Sequence, residues 1–155
     1  MGYRKGKRYD VSLPKDMKFF RETTMGHTVV MGGKTLRSFP NQKPLKNRVN
    51  IVLTRGQVCD ECIVVRSYEQ LKAELKSREN EDIFIIGGGE IYKELLPYCH
   101  GAFVTKVEAV GGAEVFFPNL DEHPDFVCVD EGAPIEDNGL TIRFTKYENK
   151  NVQKL

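Results

Sequence analysis

Ile85-Ile86-Gly87-Gly88-Gly89-Glu90-Ile91-Tyr92 is the end of an apolar strand running into three glycines and then into a helix. Bare backbone at a strand end lets a phosphate or a flat ring come close, because no Cβ stands in the way. A helix opening there turns free N–H groups and a positive dipole end toward whatever binds. The stretch therefore points to a nucleotide site in an α/β fold. It is a poor match to the dinucleotide fingerprint G-x-G-x-x-G/A. Tyr92 stands where the third small residue belongs, and the motif lies past mid-chain. A tight turn with no ligand is the plain alternative.

Working outward, Met31-Gly32-Gly33-Lys34-Thr35 is a second strand-to-helix glycine turn, too short in its spacing for a Walker A loop. Backbone N–H groups, the Thr35 hydroxyl and the Lys34 charge suit a pyrophosphate, although an exposed Lys at a helix start explains it as well. Leu53-Thr54-Arg55 and Val65-Arg66-Ser67 each place an arginine beside a hydroxyl at a strand end. Guanidinium geometry fits phosphate oxygens, and two such ends on neighbouring strands suit a lone phosphate. Surface arginines are more commonly just solvated. Asp16 opens a helix, where an acid usually complements the dipole. If it is buried near Met17, Phe20 and Phe39, its carboxylate can instead grip an N–C–N edge through two hydrogen bonds. Desolvation there raises its proton affinity.

The remaining pattern is alternating. Leu13-Pro14-Lys15-Asp16 starts a helix to about Thr24, with Met17, Phe19, Phe20 and Glu22 forming a mixed face. Strands are expected at His27–Met31, Asn50–Thr54, Cys62–Val65, Asp82–Ile86 and 102–110. Helices are expected at about Lys34–Ser38, from Ser67 to Lys76 with apolar Leu71, Ala73 and Leu75, and from the glycines to Leu96. Phe126–Glu131 and Leu140–Tyr147 read as a closing antiparallel pair around Asp137-Asn138-Gly139. The sum is an α/β protein with a mostly parallel sheet and an antiparallel C-terminal edge.

Bulk properties narrow the class. A chain of 155 residues, 40% hydrophobic and 29% charged, fits one soluble domain. A net charge of +1 gives no field toward nucleic acid or a membrane. No apolar run approaches the ~18 residues of a membrane span, and Met1–Asp10 has no signal-peptide core, so the cytoplasm is expected. Cys59-Asp-Glu-Cys62 has zinc or redox spacing, but Cys99-His100 is a poor second half-site. Ordinary thiols, with Cys128 the fourth, and no metal are expected.

Together these segments resemble dihydrofolate reductase over about Leu13 to Tyr147. The resemblance is carried by Leu13–Phe20, Gly26–Thr35, Pro44–Arg55, Ile85–Tyr92, Thr105 and Phe116-Phe117-Pro118. It implies a single three-layer domain over 1–155 with flanking helices, which reduces 7,8-dihydrofolate to tetrahydrofolate with NADPH. It implies that Asp16 binds the pterin edge and assists protonation of N5, with Thr105 hydrogen-bonded to the acid. Met17, Phe20, Phe39, Leu45, Ile86 and Tyr92 take substrate-lining positions, and Arg48 pairs with the glutamate-tail carboxylate. Gly87-Gly88 match a glycine pair usually joined by a cis peptide. Lys34, Thr35, Thr54, Arg55 and Arg66 match the cofactor-phosphate contacts, and Gly32, Leu53, Gly89, Glu90 and Ile91 complete the cofactor set. Small-molecule partners and a monomer follow from the same resemblance.

The chain departs from the family in several places. Members usually begin with an apolar strand, whereas this sequence begins at Met1-Gly2-Tyr3, inside the loop that follows it. A missing strand is expected to expose two strand edges, and the polar tail 148–155 does not replace it. Val11 stands where many members have Trp, Gly33 where an Arg or Lys usually meets the cofactor phosphate, and Arg37 in place of a common acid. Glu114-Val115 replaces Asp-Thr. Gly33 weakens the case for tight NADPH binding, for which Lys34, Arg55 and Arg66 can compensate. The leading reading is an NADPH-dependent dihydrofolate reductase. The alternative is a non-catalytic member that binds nucleotide or folate, and a pyrimidine reductase of riboflavin synthesis is a more distant third.

Overall fold

The computed structural model describes residues 13–57, 61–78, 81–108 and 120–155. In chain order the elements begin with helix α1 (Pro14–Thr24), strand β1 (Thr28–Gly32), helix α2 (Gly33–Arg37) and strand β2 (Val49–Leu53). Strand β3 (Ile63–Val65), helix α3 (Tyr68–Lys76), strand β4 (Ile83–Gly87) and helix α4 (Gly89–Leu95) follow. The last strands are β5 (Gly101–Glu108), β6 (Phe126–Glu131), β7 (Ile135–Asp137) and β8 (Leu140–Asn149). The chain divides into two compact units.

One unit, Thr24–Tyr92 with the last two residues, carries a four-stranded parallel sheet in the order β3-β2-β1-β4. Its central strands are rich in β-branched residues and have no polar face. Val29, Val30, Ile51 and Val52 are all fully buried, as expected of a parallel strand covered on both sides. After β1 the chain lays down β2 and β3 on one side, then returns to place β4 on the other. The strand order therefore reverses at the β1/β4 pair. In open parallel sheets such a reversal opens a crevice at the carboxyl ends of the strands. Both glycine turns stand at those ends. Helix α3 is capped by Ser67, whose Oγ accepts from Gln70 N at 3.1 Å, and it buries Leu71 and Leu75, one turn apart. Ala73, expected on the apolar face, is exposed because it lies between them on the far side of the helix.

The other unit, residues 13–23 with the described part of Lys93–Gln153, is built on β8. Strand β5 runs antiparallel along one edge of β8, and β6 and then β7 follow each other along the other edge. The antiparallel strands thus form a sheet of four rather than a two-stranded closure. The Asp137-Asn138-Gly139 turn joins β7, not β6, to β8. Asn138 (φ 50°) and Gly139 (φ 82°) both have positive φ, as a two-residue hairpin turn of the primed type demands. Strand β8 also runs two residues further than the sequence suggests. Buried Asn149 ends it by donating to Pro97 O and Cys99 O. Helix α1 packs one side on this sheet. Phe19 lies 5.0 Å from Phe144 and 5.6 Å from Phe103, ring to ring, and Leu13 and Ile142 form a buried pair.

The expected strand limit at residue 110, the Phe116-Phe117-Pro118 segment, Val11, Cys59 and everything before Leu13 lie outside the described residues.

Candidate active site

The acid is held by elements far from it in sequence. Asp16 sits in the first turn of α1, half-buried, and its Oδ1 accepts a hydrogen bond from Thr105 Oγ1 at 2.7 Å. Thr105 comes from β5, is 3% exposed, and lies on the same sheet face as Phe103 and Phe144, the face on which Phe19 packs. The two residues are paired as the resemblance implies. Of the other α1 candidates, Phe20 is half-buried one turn beyond Asp16 and Met17 is 45% exposed.

A residue that sequence reading passed over as part of a turn positions this helix. Asp137, 2% exposed, accepts from Lys15 N at 3.1 Å and Asp16 N at 3.3 Å through Oδ2, and from Lys15 N at 3.2 Å through Oδ1. The first helical residue is Pro14, which has no N–H, and Leu13 before it has no polar side chain to cap with. The carboxylate therefore takes the next two free donors of the helix. Lys15 Nζ adds a bond to Glu136 O at 2.6 Å. The β7–β8 hairpin thus grips the turn that carries Asp16.

On the opposite face of β5, next to Thr105, Lys106 Nζ meets Asp121 Oδ2 at 2.9 Å, and the Tyr147 hydroxyl donates to Asp121 Oδ1 at 2.6 Å. The Tyr147 and Lys106 hydrogen bonds hold the Asp121 carboxyl below the usual range. Burial works against the Lys106 charge, but hydrogen bonding to Tyr147 and Asp121 wins and raises its pKa. This cluster pins the 3₁₀ turn Leu120–Glu122 to the sheet.

In the parallel unit the glycine-rich turns face each other across β1 and β4, where Met31 pairs with Gly87. The Gly87–Gly88 peptide is cis, as the resemblance implies. Gly87 has φ 140°, a region closed to most side chains. A Cβ there would stand 3.2 Å from Thr35 Oγ1 and 4.0 Å from Tyr92 Oη. Thr35 and Tyr92 are thus brought to the glycine pair, and Ile91 packs on Gly32, where a Cβ would lie 3.2 Å from its Cδ1. The α4 turn closes with Tyr92 N donating to Gly88 O at 3.0 Å. Glu90, in the first turn of α4, is exposed and complements its dipole, with Gly89 opening the helix.

Phe39, Leu45 and Ile86 are brought onto one cluster, each half-buried against Val29, Met31, Leu36 and Val52. Arg48 donates through Nε to Thr24 Oγ1 at 2.8 Å and through Nη1 to Lys46 O at 2.7 Å. Asn50, which sequence reading treats only as a strand residue, fixes this corner. Its Oδ1 accepts from Leu45 N at 3.0 Å, and its Nδ2 donates to Leu45 O at 2.9 Å and Arg48 O at 3.1 Å. An asparagine at an inward position of an apolar strand was the available signal.

At the end of β2, half-buried Leu53 leads into Thr54, whose Oγ1 accepts from Gly56 N at 3.1 Å. Arg66 Nη1 donates to Thr54 O at 2.9 Å and Gly56 O at 2.6 Å, so this arginine shapes the turn around Arg55. Lys34 and Arg55 are exposed and pair with no acid among the described residues. Bare backbone, hydroxyls and unneutralised cations fit a nucleotide with phosphates.

Cys99 is pushed up to about 11 by burial, which keeps it a thiol, and Cys128 is exposed. No helix among the described residues is long and apolar enough to cross a membrane.

Comparison with known proteins gives the same direction. Residues 5–149 match the family model described as dihydrofolate reductase. The chain is 34% identical over 145 residues to a dihydrofolate reductase of Bacillus subtilis, covering 92% of this chain and 84% of that one. It is 35% identical over 150 residues to a dihydrofolate reductase of Staphylococcus haemolyticus, covering 92% and 87%. It is 34% identical over 166 residues to a bifunctional dihydrofolate reductase-thymidylate synthase of Daucus carota, covering 95% of this chain and 31% of that longer one.

Proposed function

The chain belongs to the dihydrofolate reductase family, and from that premise we propose the reaction and the residue roles that follow. The protein is an oxidoreductase that reduces 7,8-dihydrofolate to 5,6,7,8-tetrahydrofolate, acting on a C=N bond. NADPH, when bound, supplies the hydride for the carbon of that bond, and the nitrogen, N5, gains a proton. The observation that carries the reading is the Thr105–Asp16 hydrogen bond of 2.7 Å on a helix end gripped by Asp137. A carboxyl fixed in one orientation binds the amidine-like pterin edge through two hydrogen bonds and helps a proton reach N5. The protein's task is otherwise placement, because the substrate's own nitrogen accepts the proton.

Met17, Phe20, Phe39, Leu45, Ile86 and Tyr92 are the apolar lining of the substrate site. Arg48 binds the glutamate-tail carboxylate, its guanidinium already oriented by Thr24 and Lys46. Gly32, Lys34, Thr35 and Leu53-Thr54-Arg55 serve the cofactor, together with Arg66 and the stretch Gly87-Gly88-Gly89-Glu90-Ile91. The reversal of strand order at β1/β4 supports that placement. We take the protein as a cytoplasmic monomer whose partners are small molecules.

Asp16→Asn tests the central role. In that variant kcat/KM should fall about 100-fold or more, with the largest loss at neutral and higher pH, where solvent protons are scarce. Full activity in that variant across the pH range removes Asp16 from the reaction.

A further inference from the structure

Gly33 carries no side chain, yet a cation stands over it. A Cβ at residue 33 would lie 2.6 Å from Thr54 Oγ1, 2.9 Å from Thr54 Cβ and 3.1 Å from Arg37 Nη1. Thr54 cannot retreat from that point. Its N donates to Val65 O at 3.1 Å, its Oγ1 is held by Gly56 N, and its carbonyl is held by Arg66. The position is therefore closed to any side chain by a threonine that is itself fixed.

Arg37 uses the space. It lies four residues beyond Gly33 in α2, so the two share a helix face. Long helical side chains lean back over the preceding turn, which brings the Arg37 guanidinium over the bare Cα of Gly33. A β-carbon at residue 33 would displace it, so the glycine and the arginine form one device. Arg37 is exposed and makes no ion pair with an acid among the described residues. Beside it stand the Thr54 hydroxyl and the turn that carries Arg55. A planar fork of N–H donors, a hydroxyl and a further guanidinium at one strand end match a phosphate monoester, whose oxygens accept several charge-assisted bonds at once.

We propose that Arg37, reaching over Gly33 to Thr54, is the specificity-determining cation of the cofactor site and selects the ribose 2′-phosphate that distinguishes NADPH from NADH. The inference rests on the NADPH reading given above. Arg66 serves the same site from the other side, its Nη1 organising the 54–56 turn through two carbonyls.

The test is equilibrium binding of NADPH and of NADH to the full chain, followed by cofactor fluorescence, for the wild type, Arg37→Gln and Arg37→Lys. The expected result is about tenfold weaker NADPH binding in Arg37→Gln with NADH binding unchanged, and partial retention of the preference in Arg37→Lys. If Arg37→Gln does not fold, Arg37→Lys carries the test by itself. Unaltered NADPH preference in the variants overturns the role of Arg37 while leaving the NADPH reading standing. Equal loss for both cofactors also overturns it, because the arginine then reads the pyrophosphate they share. A wild type that binds NADH as tightly as NADPH removes the underlying reading and the proposal together.

Discussion

The hydroxyl of Thr105 donates to the carboxyl oxygen of Asp16, its one partner among the described residues. A hydrogen bond to a charged group contributes about 1.5–3 kcal/mol, and its loss from a half-buried acid is felt in the acid's orientation. Thr105→Val keeps the shape and removes the donor. It should lower kcat/KM for dihydrofolate about tenfold and leave NADPH affinity unchanged, as read by steady-state kinetics beside equilibrium binding. From its own residues Asp16 is legible as an acid at a helix start, which usually complements the dipole, and the reading as a grip on an N–C–N edge depends on burial that the sequence does not show. Its pairing with Thr105 came from the family resemblance, because nothing in either residue's neighbourhood points across 89 positions. Asn50 shows the opposite limit. It is an ordinary polar residue in sequence, and its task is defined by atoms that only folding brings near.

Among the elements, the helices and most strands are readable, the short α2 and β3 included, and β7 is not. Strands β1, β2 and β4 announce themselves as β-branched runs ending in glycine or a hydroxyl residue, and Ser67 marks the start of α3. Strand β7 has three residues, Ile135–Asp137, too few to establish an alternation, so the hairpin turn was credited to β6 instead. That strand matters out of proportion to its length, since it delivers Asp137 to the first turn of α1. Asp137→Ala strips two helix N–H groups of their acceptor and should destabilise the protein by about 1–2 kcal/mol. At roughly 2–4 °C per kcal/mol for a chain near this size, thermal unfolding resolves the change. Asp137→Asn retains an acceptor oxygen and should recover more than half of the loss. Equal effects of the two substitutions would show that the charge, and not the cap, is what the helix uses.

For the molecule as a whole, each compact unit carries a carboxylate held below its usual range. Asp121 is lowered by the Tyr147 hydroxyl and then by Lys106, and Glu81 by the Thr28 hydroxyl and then by Arg78. A carboxyl whose folded pKa is depressed contributes stability that is complete above its unfolded value, about 4, and is lost as pH falls through the folded one. The melting temperature should therefore drop as pH is lowered from about 5 to 2, and Asp121→Asn should flatten that slope. A slope unchanged in the variant would show that Asp121 titrates alike in both states. The α/β class and the parallel sheet were readable from the alternation of strands and helices. The grouping of the antiparallel strands into a sheet of their own was not, because it depends on β8 pairing along both edges. The claim that unites these scales is that this chain reduces dihydrofolate at the expense of NADPH. The most direct measurement is NADPH oxidation by the purified full chain with and without dihydrofolate, with the product identified by mass. The expected result is oxidation that depends on dihydrofolate and matches tetrahydrofolate formed mole for mole. A folded protein that binds both ligands yet forms no tetrahydrofolate would contradict it.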